Sequence, residues 1–144
     1  MSNYFDCKVS YEKVMENGLE KKVVEHYLVF AFSFTEAEAK IVEEMKTRIR
    51  GDFSVPSIRR MNLAEFFLNE LGDRYYQAKV NFISLDEKSG SEKRKAVQML
   101  VQACDIKEAL SLLETGMKDS MTDYSVISIK ESQILDFFMR KDED

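Results

Sequence analysis

The stretch Tyr4-Phe5-Asp6-Cys7-Lys8-Val9 returns later in the chain as Tyr75-Tyr76-Gln77-Ala78-Lys79-Val80. Further phrases return in the same order about 71 or 72 residues on. They include Gly18-Leu19-Glu20-Lys21-Lys22 with Gly90-Ser91-Glu92-Lys93-Arg94, Leu28-Val29-Phe30-Ala31 with Leu100-Val101-Gln102-Ala103, Ser54-Val55-Pro56-Ser57-Ile58 with Ser125-Val126-Ile127-Ser128-Ile129, and Phe66-Phe67 with Phe137-Phe138. Such self-similarity predicts one supersecondary unit written twice. We therefore predict a first repeat at 1–71 and a second at 72–144. Because one such unit would bury little surface alone, we expect the repeats to share one core as a single compact domain.

Each copy begins with the pattern of a β-hairpin. Phe5, Cys7 and Val9 alternate with polar residues, and this period of two is typical of a half-buried strand. The segment Glu16-Asn17-Gly18 predicts the turn, since asparagine and glycine tolerate a positive φ. In the second copy a longer polar link, Asp86 to Ser91, takes its place.

A helix follows each hairpin. Ser33 with Glu36, and Asp105 with Glu108, have the spacing of an N-cap and the amide that it binds. Apolar residues then recur at helical spacing on one stripe in each copy: Phe34, Ala37, Ile41 and Met45; Ile106, Ala109, Leu110, Leu113 and Met117.

The third strand is predicted at 53–58 and 124–129. Pro56 has no amide hydrogen to donate, so this strand should lie at a sheet edge or be bulged there. For 61–68 a strand is favoured, with a short helix as the alternative. The predicted fold class is α+β: two tandem β-β-α-β(-β) repeats packed as a pseudo-two-fold pair, with antiparallel sheet and the helices on one face.

Composition limits the classes of protein. The 144 residues are 44% hydrophobic, which excludes general disorder. A net charge of −5 lowers the expected bulk affinity for DNA or an anionic membrane. Cys7 and Cys104 have no CxxC neighbour, and we predict that both are reduced core residues. Because no apolar run is long enough to cross a bilayer, we expect a cytoplasmic protein with no membrane partner.

No catalytic motif is present. The chain has no GxGxxG, GxxxxGK[ST], GxSxG or HExxH pattern. His26 is the only histidine, which excludes a histidine-rich metal site, and we interpret it as a sheet-surface residue. A dyad with Cys7 is disfavoured because the two side chains belong to opposite faces. We therefore expect neither an enzyme nor a cofactor or metal.

The candidate binding residues are basic and belong to the first copy: Lys46, Arg48, Arg50, Arg59 and Arg60. The second copy has only Lys118 and Lys130 in the corresponding places. A site for phosphate or an acidic partner is one interpretation of this asymmetry. Ordinary placement of basic residues at a helix C-terminus and on a solvated strand is the interpretation with the greater weight.

Several phrases together resemble a known family: Ser33-Phe34-Thr35-Glu36-Ala37-Glu38-Ala39, the strand end Leu28-Val29-Phe30-Ala31, and the loop Leu85-Asp86-Glu87-Lys88-Ser89-Gly90. This is an uncharacterised domain-of-unknown-function family of Bacteroides-group bacteria and their phages or mobile elements. The likeness runs from about Tyr4 to Phe138. It implies a small intracellular protein of phage-related origin, and it carries no ligand or catalytic residue.

The preferred hypothesis is a non-enzymatic binding or accessory protein, whose partner is a host or phage protein. A nucleic-acid-binding accessory factor that uses the basic residues of the first repeat is the first alternative. A site for a small ligand between the repeats is the second.

Overall fold

The computed structural model describes residues 3–139 and is α+β. The order of its elements is β-β-α-β-β, followed by the same order again. The bounds are β1 Tyr4–Val14, β2 Glu20–Phe30, α1 Phe34–Arg48, β3 Phe53–Met61, β4 Leu63–Phe67, β5 Arg74–Leu85, β6 Glu92–Ala103, α2 Ile106–Met117, β7 Asp123–Glu131 and β8 Ile134–Phe138.

The strands form two four-stranded sheets, with the orders β3-β1-β2-β8 and β4-β6-β5-β7. The chain divides into two compact units that follow these sheets. Unit 1 holds β1, β2, α1, β3 and β8, and unit 2 holds β4, β5, β6, α2 and β7. The fourth strand of each half of the chain thus belongs to the sheet formed by the other half.

The predicted antiparallel sheet is correct for both hairpins and for the third strands, which pair with β1 and β5. It is incomplete for β4 and β8, because these short strands run parallel to β6 and β2. Within the segment 61–68, Leu63–Phe67 form a strand and not a helix, as the sequence favoured. The predicted division at 71 and 72 with one shared core stays a prediction.

Each unit has a buried cluster between its sheet and its own helix. In α1 the buried residues are Ala37, Ile41 and Met45, and in α2 they are Ala109, Leu113 and Met117. Both stripes were predicted. The predicted members Phe34, Ile106 and Leu110 are exposed instead, because they lie at the margin of the apolar face.

The expected N-caps are present in both helices. The Ser33 hydroxyl accepts from the Glu36 amide at 3.0 Å, and the Asp105 carboxylate accepts from the Glu108 amide at 2.8 Å. Each bond satisfies one of the amides that the first turn of a helix leaves without a partner.

The prediction for Pro56 is also confirmed. β3 is an edge strand, and its pairing with β1 shifts register across Pro56. An edge strand tolerates proline because its outward side needs no donor.

Candidate binding surface at the start of the first helix

The five predicted binding residues do not share one surface. Lys46 and Arg48 lie in the last turn of α1 and Arg50 in the loop after it, whereas Arg59 and Arg60 are neighbours on β3. Consecutive strand residues point to opposite faces of a sheet, so the last two side chains diverge.

Arg59 belongs to a polar cluster on the sheet face opposite α1. The buried carboxylate of Asp6 accepts from His26 Nδ1 at 2.9 Å, and Arg59 Nη2 lies 3.4 Å from its other oxygen. The remaining exposure of His26 is 16% of its side chain. The predicted sheet-surface histidine is therefore a half-buried partner of Asp6. The hairpin register could have indicated this contact. Lys8 lies opposite His26, so Asp6, two residues before Lys8, is a diagonal neighbour of His26 on the same face.

Arg60 and Arg48 lie over aromatic rings on the helix side of the sheet. The Arg60 guanidinium carbon is 4.7 Å from the centroid of Phe5 and 5.3 Å from that of Phe34. Arg48 lies 4.8 Å above Phe138 and forms an ion pair with Asp136 at 3.3 Å. Both distances to the rings are within the range of a cation–π contact. The charges of these two arginines thus already have partners within unit 1.

Exposed aromatic residues surround the start of α1. Phe32 and Phe34 flank the cap residue and are 52% and 49% exposed. Phe32 packs edge-on against Phe30 at 5.7 Å between centroids, and Phe34 packs against buried Phe5 at 4.9 Å. We define the aromatic rim as Phe30, Phe32, Phe34 and Arg60.

The sequence contained a signal for this rim, which the prediction missed. Phe30, Phe32 and Phe34 align with Gln102, Cys104 and Ile106, so only the first copy has aromatic residues at all three places. The prediction considered only the difference in basic residues between the two copies, and it therefore named the five basic side chains.

In unit 2, polar groups near the end of β6 and the start of α2 form hydrogen bonds to the loop of residues 68–73. The buried Gln102 amide donates to the Gly72 carbonyl at 3.0 Å and accepts from the Asn69 amide at 3.2 Å. The Glu108 carboxylate accepts from the Cys104 amide at 2.9 Å and from the Asn69 side chain at 3.3 Å. The start of α2 is therefore closed by internal hydrogen bonds, whereas the start of α1 presents rings.

The two cysteines are both free and differ in burial. Cys7 is a core residue, as predicted, and burial beside the Asp6 charge raises its pKa to about 12. The prediction is wrong for Cys104, which is exposed because it lies in the connection between β6 and the α2 cap. Cys7 faces α1 and His26 faces the other side, so the register gives no cysteine–histidine dyad.

Within residues 3–139 there is no group of three or more histidine, cysteine, aspartate or glutamate side chains that could hold a metal ion. Over the same residues, neither helix is long and apolar enough to cross a membrane.

A family model described as a domain of unknown function, DUF4494, matches residues 3–140. The chain belongs to the DUF4494 family. The match covers both of the similar sequence stretches and not only one of them. No curated protein and no solved structure matches the chain.

Proposed function

We propose that this DUF4494 protein is a non-enzymatic binding protein, and that it binds a protein partner through the aromatic rim. The observation that carries the proposal is the roughly half exposure of both Phe32 and Phe34 on a rigid sheet and helix start. Aromatic residues and arginine are enriched at the centres of protein interfaces, where they bury large area at low cost in side-chain entropy. A phage or mobile-element origin, with a host or phage protein as the partner, is part of the same proposal.

The geometry of the rim favours a partner with an apolar side chain beside a carboxylate. Arg60 lies against two rings, which hold its guanidinium in a fixed plane. A guanidinium in a fixed plane suits a carboxylate, while Phe32 supplies apolar area next to it.

Pull-down with the intact protein from host lysate tests this function. We expect Phe32→Ser to reduce recovery of a reproducible partner at least tenfold. The matched control is Ile106→Ser in unit 2, where an apolar residue at the start of α2 is 51% exposed. Equal recovery by both variants, or turnover of a metabolite in place of a partner, contradicts the proposal.

The nucleic-acid alternative is favoured by the exposure of Lys46 and Arg50, neither of which has an ion-pair partner among residues 3–139. The test variant is Lys46→Ala with Arg50→Ala, because removal of Arg59 or Arg60 would also disturb Asp6 or the rings. This alternative predicts binding that falls steeply with salt and weakens in the double variant. No retention of DNA or RNA at low salt removes it.

We also propose that the two halves are copies of one ancestral unit that pack as a pseudo-two-fold pair. The matched residues and the repeated β-β-α-β-β order support this. An experimental structure whose halves superpose on one another through a rotation near 180° is the expected result, and any other relation contradicts it.

A further inference from the structure

β3 and β7 are the outer strands next to β1 and β5 in their sheets. An edge strand leaves a row of backbone N–H and C=O groups that another strand can pair with. Neither edge is paired with a further strand within residues 3–139.

The two edges differ at one aligned position. β3 has Pro56, which blocks pairing on an edge because it has no N–H to donate. β7 has Ile127 in that place, and its side chain is 48% exposed. A β-branched apolar residue on an open edge favours pairing with another strand.

A β-bulge at Ile127 sets the faces of β7. Lys79 lies opposite Ser128 while Val80 lies opposite Val126, so Ile127 is the extra residue. Because of this extra residue, Asp123, Ser125, Ser128 and Lys130 share the face opposite α2. Tyr124, Val126 and Ile129 pack on the core side.

We propose that β7 pairs antiparallel with β7 of a second copy of this chain, about the midpoint between Val126 and Ile127. In this register Asp123 lies opposite Lys130 of the second copy, and two-fold symmetry repeats the ion pair at the other end. Tyr124 lies opposite Ile129 of the second copy on the core side.

The charges on β7 suit this partner. Neither Asp123 nor Lys130 has an ion-pair partner among residues 3–139, so each remains available to the second copy. In the first copy the aligned residues are Asp52, just before β3, and Arg59 on β3, but Arg59 already lies against Asp6 and Pro56 blocks the centre. Of the edges at β3 and β7, within residues 3–139, β7 is therefore the one that combines open backbone with complementary charge.

Sedimentation velocity of the full chain, from about 10 μM to 1 mM, tests the proposal. Pairing of one strand per copy buries a small interface, so we expect a weak dimer that forms within this concentration range. We expect Lys130→Asp alone, or Asp123→Lys alone, to raise the dimer dissociation constant about tenfold or more, since like charges then lie opposite each other. The double variant Asp123→Lys with Lys130→Asp should restore dimerisation to within about threefold of the wild type, since the exchanged charges pair again.

Two further variants complete the test. Ile127→Pro should give a monomer with an unchanged circular dichroism spectrum, and Asp52→Lys on the other edge should dimerise like the wild type. A wild-type monomer at 1 mM, single variants that dimerise normally, or a double variant that fails to recover would overturn the proposal. A monomer that instead binds an extended peptide of another protein would assign the edge to that partner.

Discussion

The starts of α1 and α2 have the same backbone design and opposite surroundings. Both helices begin at a cap that accepts a hydrogen bond from the amide three residues on, and in both an alanine, Ala31 or Ala103, stands two residues before the cap. Around α2, side-chain hydrogen bonds hold the loop 68–73 in place. Around α1, Phe30 stands in the place of Gln102, and the nearby rings of Phe32 and Phe34 are about half exposed. The comparison teaches that the same order of elements fixes the cap and the core, while the residues next to them determine whether that end carries hydrogen-bonded polar side chains or half-exposed aromatic rings.

The largest effect should come from Gly72→Ala in the closed end. A Cβ on Gly72 would lie 2.6 Å from the backbone nitrogen and Cα of Ala103, and neither atom can move without disturbing β6. We expect the free energy of unfolding, measured with urea, to fall by about 3 kcal/mol. Gly51→Ala is the control: its Cβ meets open space, and the φ of +95° alone should cost about 1–2 kcal/mol. Equal losses would mean that the close approach is not what secures the loop.

Gln102→Ala should be next in size. It leaves the Asn69 amide and the Gly72 carbonyl without their partner, and an unsatisfied buried group costs about 1–3 kcal/mol. We expect a loss of about 2 kcal/mol in urea unfolding, with faster hydrogen exchange in 68–73. Gln98→Ala, which removes one half-buried bond to Gln77, should cost less than about 1 kcal/mol. Unchanged exchange in the loop would contradict the role assigned to Gln102.

The third prediction concerns the dependence of stability on pH. Cys7→Ala gives unit 1 the residue that unit 2 has at the aligned position, Ala78. The folded pKa of Cys7 is raised from 9.0 to about 12, so its contribution is complete below pH 9 and is lost as the pH rises toward 12. The stability of the wild type should therefore fall, relative to the variant, by up to about 1.4 kcal/mol per pH unit in this window. Tyr27, whose pKa burial also raises, is present in both proteins and cancels in the difference. Parallel stability curves between pH 9 and 12 would show that the thiol does not titrate as described.

The smallest effect on stability should come from Phe32→Ser in the open end. Phe32 is about half exposed and touches Phe30 edge-on, so the expected loss is about 0.5 kcal/mol. The same variant should lose the partner in the pull-down. A loss of stability near 2 kcal/mol would indicate that Phe32 supports the fold, and would remove the comparison between the two ends.

The sequence was informative where local signals decide the structure. Cap spacing located both helices, alternation located the hairpins, and Pro56 indicated an edge. It could not place β4 and β8, since five-residue strands have no clear period and their partners lie far along the chain. The burial of Asp6 beside His26 and the exposure of Phe32 depend on register and on neighbouring elements, which composition does not encode. The five basic residues were predicted as one site. The alternation of side chains along a strand, applied to Arg59 and Arg60, would have placed these two on opposite faces of the sheet.

The position of β8 in unit 1 has a consequence for biosynthesis. Phe138 stacks on Tyr27 at 5.6 Å and belongs to a core whose other buried residues lie between Phe5 and Met45. A ribosome releases β8 only after every strand of unit 2, so the nascent first sheet lacks its fourth strand until all of unit 2 has been made. Pairing over more than a hundred residues is slow to form. Unit 2, whose strands are contiguous from Leu63 to Glu131, is in this respect the part of the protein able to mature first.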